Sequence, residues 1–212
     1  MKTIFALTFF FIVNSSLTFS QISKKRVYEI SVIEQPQKVE LIEYENGQFE
    51  GNVITKITKG KYRSGWLNRS WRNLWNIERK NIIDKNSIEK NVVKKLMTEL
   101  KESGIESIKD CSEDEECNDQ RFLDSGIVLF KVKTIEFEIV GGFEEIYPLN
   151  KDNKEEIKLR IKAQNLITIL YENIDLKQRY SDLFKRLPRG YYHYYQSSGH
   201  LIVTIKNRKR KK

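Results

Sequence analysis

The stretch Lys38–Lys59, KVELIEYENGQFEGNVITKITK, decides the fold. Two runs rich in Val, Ile, Thr and Tyr flank Glu45-Asn46-Gly47-Gln48, and Asn-Gly suits the positive φ angles of a tight hairpin turn. The reading is a strand over Lys38–Tyr44, a turn, and a strand over Gln48–Lys59. With a two-residue turn Tyr44 faces Phe49, and Val53 and Ile57 carry the Phe49 face on into a core.

Upstream, Arg26–Ile33 alternates, with Tyr28, Ile30 and Val32 on one side, until Gln35-Pro36-Gln37 breaks it. That is a third strand. Downstream, Ile127–Val132 and Ile135–Val140 read as paired strands closed by Gly141-Gly142. Tyr191–Tyr195 and His200–Lys206 read as a hairpin around Gln196–Gly199.

Between these strands the period changes from two to about four. Asn86 and Glu89 form a capping-box pattern before Ile88, Val92, Leu96 and Leu100, with Val93 and Met97 beside them and Ser103-Gly104 as the stop. A second helix is expected from near Asn153 to Asn173, with Leu159, Ala163, Leu166, Ile167 and Leu170 inward. A shorter one carries Leu176, Tyr180, Leu183, Phe184 and Leu187 and stops at Pro188-Arg189-Gly190. Strands at both ends with helices between them predict a single α+β domain, an antiparallel sheet of hairpins packed against two or three helices.

The first twenty residues read as an address rather than as structure. Lys2 is followed by an uncharged apolar run over Ile4–Val13 and by the small residues Thr18 and Ser20, the layout of a secretory signal peptide. Cleavage is expected near Ser20, leaving a domain over 21–205 and a basic, disordered tail over 206–212. Export to the periplasm or medium follows, with a monomer expected.

The chain of 212 residues carries 38 Lys and Arg against 29 Asp and Glu, a formal charge of +9. The excess is concentrated. Lys206, Arg208, Lys209, Arg210, Lys211 and Lys212 crowd the C-terminus, a run that repels itself and is expected to meet anionic envelope lipid or polysaccharide without sequence-specific nucleic-acid binding. Lys59–Lys80 is a second basic stretch. Asp110, Glu113, Asp114, Glu115, Glu116 and Asp119 form an acidic one, which lacks the alternation of a calcium loop.

Cys111 and Cys117 bracket five residues, and in an oxidising compartment they read as a disulfide. Trp66, Trp71 and Trp75, interleaved with Arg69 and Arg72, could stack on a ligand, although their spacing also suits a core. Pairing Tyr195 with His200 would gather Tyr191, His193, Tyr195 and His200 on one face of the last hairpin, opposite Tyr192 and Tyr194. That face is the only place where histidine chemistry could act. No phosphate loop, nucleophile elbow or metalloprotease helix is present in the sequence, and no metal or cofactor is implied.

The Asn46-Gly47 hairpin, the helix through Leu96 and Leu100 and the Cys111–Asp119 segment together resemble small secreted bacterial proteins of unknown function. The resemblance implies export and architecture. The function expected is therefore that of a non-enzymatic binding or envelope-associated protein, the alternative being a secreted hydrolase that uses the Tyr/His face.

Overall fold

In the computed structural model the described residues are 23–33, 35–60, 80–120, 122, 126–195 and 201–206; for Tyr195 and 201–206 only the backbone is described. In chain order they form β1 (Lys24–Ser31), β2 (Gln37–Tyr44), β3 (Phe49–Gly60), β4 (Lys80–Ile88), α1 (Lys90–Glu102), α2 (Glu115–Asn118), β5 (Ile127–Thr134), β6 (Glu138–Glu144), α3 (Lys158–Asn173), α4 (Leu176–Arg186), β7 (Gly190–Tyr195) and β8 (Leu201–Lys206). Short 3-10 turns at Ile105–Ser107 and Cys111–Glu113 separate α1 from α2.

All eight strands join one antiparallel sheet, running β6-β5-β1-β2-β3 and then β4. The long strand β3 is shared. Its Phe49–Thr55 part pairs with β2, its Thr58–Gly60 part pairs with β7, and β4 lies along the other edge from Gly51 to Lys59. The β7–β8 hairpin thus extends the sheet beyond the end of β2.

Because side chains alternate across a strand, the register fixes which residues meet inside. Tyr28 lies between Leu41 and Val132, Ile30 between Val39 and Phe130, and Val39 opposite Val53. These residues are fully buried under Val93, Leu96 and Leu100 of α1 and Ala163, Leu166 and Leu170 of α3. A smaller cluster joins Ile57 to Leu183 and Leu187 of the α4 end and to Tyr192 and Tyr194. Tyr180 meets Tyr194, and Phe184 meets Tyr192, edge to face at 6.4 and 6.3 Å. Among the described residues no helix is long and apolar enough to cross a membrane.

Four local expectations are corrected. The first hairpin closes through three residues, not two: Tyr44 N–H donates to Gln48 O, Gly47 N–H donates to Tyr44 O, and Gly47 takes φ 77°. Phe49 therefore pairs with Glu43 rather than Tyr44. The extra left-handed residue is the device that lets an ordinary turn fit the twist of the strands.

Asn86 does not cap a helix. It belongs to β4, where its Nδ2 donates to Asp84, and α1 starts after Glu89 without a side-chain cap. Asn153 likewise stays outside α3, held by Asn150 N–H at 2.8 Å and by Pro148 O at 3.1 Å, so that helix begins five residues later than expected. Gly141-Gly142 does not end β6 but lies within it. A Cβ on Gly141 would stand 2.9 Å from Lys109 O, so the chain can cross this strand only where no side chain stands.

Candidate functional site

Both α1 and α3 pack on the same sheet face, and the opposite face carries the charge. On it Lys38 meets Glu29 at 2.7 Å, Lys131 meets Glu138 at 2.7 Å, and Lys133 stands 3.8 Å from the same glutamate. The hydrogen bond between Lys131 and Glu138 raises the lysine pKa and lowers that of the glutamate. A shallow concavity of about 280 Å³ opens here, lined by Lys24, Val27, Glu29, Glu40, Lys131, Lys133 and Thr134. Exposed ion pairs of this kind contribute little to stability.

A second polar cluster closes the Glu43 end of the buried layer. Arg26 bridges Glu43 and Glu106, Lys25 reaches Glu43 at 2.8 Å, and the Tyr28 hydroxyl donates to Glu106 at 2.7 Å. Burial, then the hydrogen bond to Glu106 and its charge, push the Tyr28 phenol far above the ordinary tyrosine value, with Arg26 opposing them. The cluster neutralises groups that the sheet would otherwise bury unpaired.

Among the described residues the most buried charge is Arg160, 1% exposed on α3. Its guanidinium grips Glu155 with two bonds of 2.7 and 2.8 Å, donates to Glu144 O at 3.0 Å, and lies 4.7 Å from the Phe122 ring centroid. One turn on, Gln164 accepts from Glu155 N–H at 3.1 Å and donates to Asn153 O at 2.6 Å. Together they fasten the 144–155 connection to the helix. The planar fork of arginine suits that bidentate hold.

Cys111 and Cys117 are joined, with Cα atoms 5.3 Å apart. Asp110 and Asp114 cap the two short turns, Asp110 accepting from Ser112 N–H at 2.9 Å and Asp114 from Cys117 N–H at 3.0 Å. The acidic loop is thus built by its own carboxylates. Among the described residues no group of three or more His, Cys, Asp or Glu side chains could hold a metal.

Of the side chains singled out in the sequence, Trp66, Arg69, Trp71, Arg72, Trp75 and His200 lie outside the described residues. Tyr191 and His193 are half-buried on the face opposite Tyr192 and Tyr194, which are 2% and 9% exposed. The register differs by one from the expected pairing. Tyr195 pairs with Leu201 rather than His200, so His193 stands opposite Val203 and, on the other side, opposite Thr58.

Arg160 and Gln164 are not singled out by the sequence because they occupy the inward stripe of α3 beside Ala163 and Ile167. A charged residue inside an apolar helical period was the available signal. No protein-family model, curated protein or solved structure matches the chain.

Proposed function

We propose that the protein is exported and serves as a non-enzymatic binding protein that holds weakly to anionic envelope lipid or polysaccharide through its basic tail. The disulfide fits an oxidising compartment. The observation that carries the reading is topological. The pairs Lys59–Lys80, Gly60–Tyr191 and Gly190–Lys206 set the ends of β3, β4, β7 and β8 side by side.

The chain segments 61–79 and 207–212 therefore join the sheet at one end. The first carries Lys61, Arg63, Arg69, Arg72 and Arg79 against Glu78, and the second carries Arg208, Lys209, Arg210, Lys211 and Lys212 with no acidic residue. Exposed Lys80 and Arg189 flank the junction. Two basic segments that leave a sheet at the same end can act on one anionic surface, at about 1 kcal/mol for each basic residue that comes near it. Trp66, Trp71 and Trp75 would add amphipathic contacts at that surface.

The test removes residues 207–212 and compares retention on heparin and on vesicles of phosphatidylglycerol and phosphatidylcholine, at low and high salt. The full chain should be held at low salt and released at high salt, and the truncated chain should elute earlier, more so with Arg69→Ala and Arg72→Ala. Heparin without vesicles points to polysaccharide, and vesicles without heparin to lipid. Equal retention of full and truncated chains removes the tail from the account.

A further inference from the structure

We infer that Lys162 is a site of covalent acylation, its amine taking the acyl group of a donor with a good leaving group, an aryl ester or an acyl phosphate. The site belongs to the helix layer and the reaction is stoichiometric, so it stands beside the binding role rather than replacing it. From α3, Lys162 reaches the 3-10 turn that follows α1, where its Nζ donates to Ser107 O at 3.0 Å and to Ser107 Oγ at 2.9 Å. The end of its side chain lies along bare backbone. Gly104 takes φ 86°, and a Cβ there would stand 2.8 Å from Lys162 Cε and 3.0 Å from Nζ. A glycine thus leaves the notch that the amine fills.

Both oxygens on Lys162 are neutral, and among the described residues no carboxylate forms an ion pair with it. Lys38, Lys95, Lys131 and Lys185, by contrast, each meet an Asp or Glu. Burial lowers the Lys162 pKa, whereas the hydrogen bond and charge of Glu138 raise that of Lys131. Partial burial without a counter-ion is what turns a lysine from a solvated cation into a nucleophile. Ser107 is not the acceptor, because its hydroxyl proton goes to Gly104 O at 3.2 Å and its oxygen accepts from Lys162. The neutral amine spends two N–H bonds on Ser107 and keeps its lone pair for the carbonyl carbon. The N–C bond forms, the C–O bond to the leaving phenolate or phosphate breaks, and the nitrogen's surplus proton passes to water. The product amide has one N–H where the amine had two, so acylation gives up one of the bonds to Ser107.

The test treats the full-length oxidised protein with a substoichiometric amount of para-nitrophenyl acetate or acetyl phosphate and maps early acetylation by peptide mass spectrometry. Lys162 should label about tenfold faster than the ion-paired Lys131. In urea, where the notch is gone, that preference should vanish. Ser107→Asp, at an exposed position, sets a carboxylate against the amine and should slow Lys162 to the rate of Lys131. The urea comparison decides the point even if Ser107→Asp fails to fold. Labelling by the ester alone assigns a neutral donor, and labelling by acetyl phosphate alone an anionic one. Labelling of Lys162 no faster than Lys131 with both donors, a preference that persists in urea, or one untouched by Ser107→Asp in the folded variant would each overturn the inference.

Discussion

The Asp110 carboxylate accepts the backbone N–H of Gly142 at 2.8 Å, joining the residue before the cystine loop to the terminal strand β6. Glu144 O, two residues along the same strand, accepts from Arg160. An edge strand with open N–H and C=O groups invites pairing with another chain, and here two of its backbone groups are already taken by side chains. Asp110→Ala should therefore lower stability by about 1–2 kcal/mol and increase concentration-dependent association, both readable by urea titration and light scattering. Unchanged association would confine the aspartate to capping.

Acid should act through the same residue. Burial raises the Asp110 pKa, but the hydrogen bonds from Ser112 Oγ–H, Ser112 N–H and Gly142 N–H together outweigh it and hold the carboxyl below the ordinary aspartate value. A depressed folded-state pKa contributes stability that is full above the unfolded value of about 3.9 and lost as pH falls through the folded one. Asp110→Asn should flatten the loss of stability below about pH 4, measured as the urea midpoint against pH.

Reduction of Cys111–Cys117 should be local in effect. The loop is short, so Cys117→Ser is expected to remove about 2 kcal/mol without unfolding the domain. Hydrogen exchange should then rise between Lys109 and Gln120 while the α1 and α3 amides keep their protection. Global loss of protection would mean that Cys117, 1% exposed and part of the main core, anchors more than its loop.

Arg160 offers a sharper test of what a buried charge does. Glu155→Ala leaves the guanidinium without its bidentate partner and should cost about 3 kcal/mol, at the low end for buried pairs because Glu155 keeps 17% side-chain exposure. Arg160→Met with Glu155→Leu should cost less than Glu155→Ala alone, because no charge is then stranded. A double variant as unstable as the single would show that the Glu144 and Phe122 contacts dominate.

What was legible in the sequence followed strict periods. Tyr28 and Ile30, or Val93, Leu96 and Leu100, are inward because their spacing says so, and the structure buries them. Strand β4 was hidden because its inward positions include Asp84 and Asn86, polar residues whose places make sense only beside Thr55 and Val53 and near Arg186. The last hairpin differs by one register position because tyrosines fill both faces of β7, leaving the long-range pairing with β3, from Thr58–His193 to Gly60–Tyr191, to place that strand. Arg160 and Gln164 stayed unread for a related reason, since their partners lie in a connection that no local period describes.

The first hairpin allows backbone strain to be separated from packing. Gly47 has φ 77°, and a Cβ placed on it would meet nothing within 4 Å. Substitution therefore meets no clash and bears only the left-handed conformation, about 1–2 kcal/mol for an ordinary L-residue and less for asparagine, which hydrogen-bonds locally in that region. Gly47→Ala and Gly47→Val should lose stability on that scale, with valine the worse because its branched Cβ tolerates positive φ least, and Gly47→Asn should stay close to wild type. Chemical unfolding of the three variants decides the point, with the Glu43–Phe49 cross-strand pairing followed by NMR as the register check. If that pairing persists even in Gly47→Val, the turn does not hold the register, and β1 and β4, pairing on either side of β2 and β3, do.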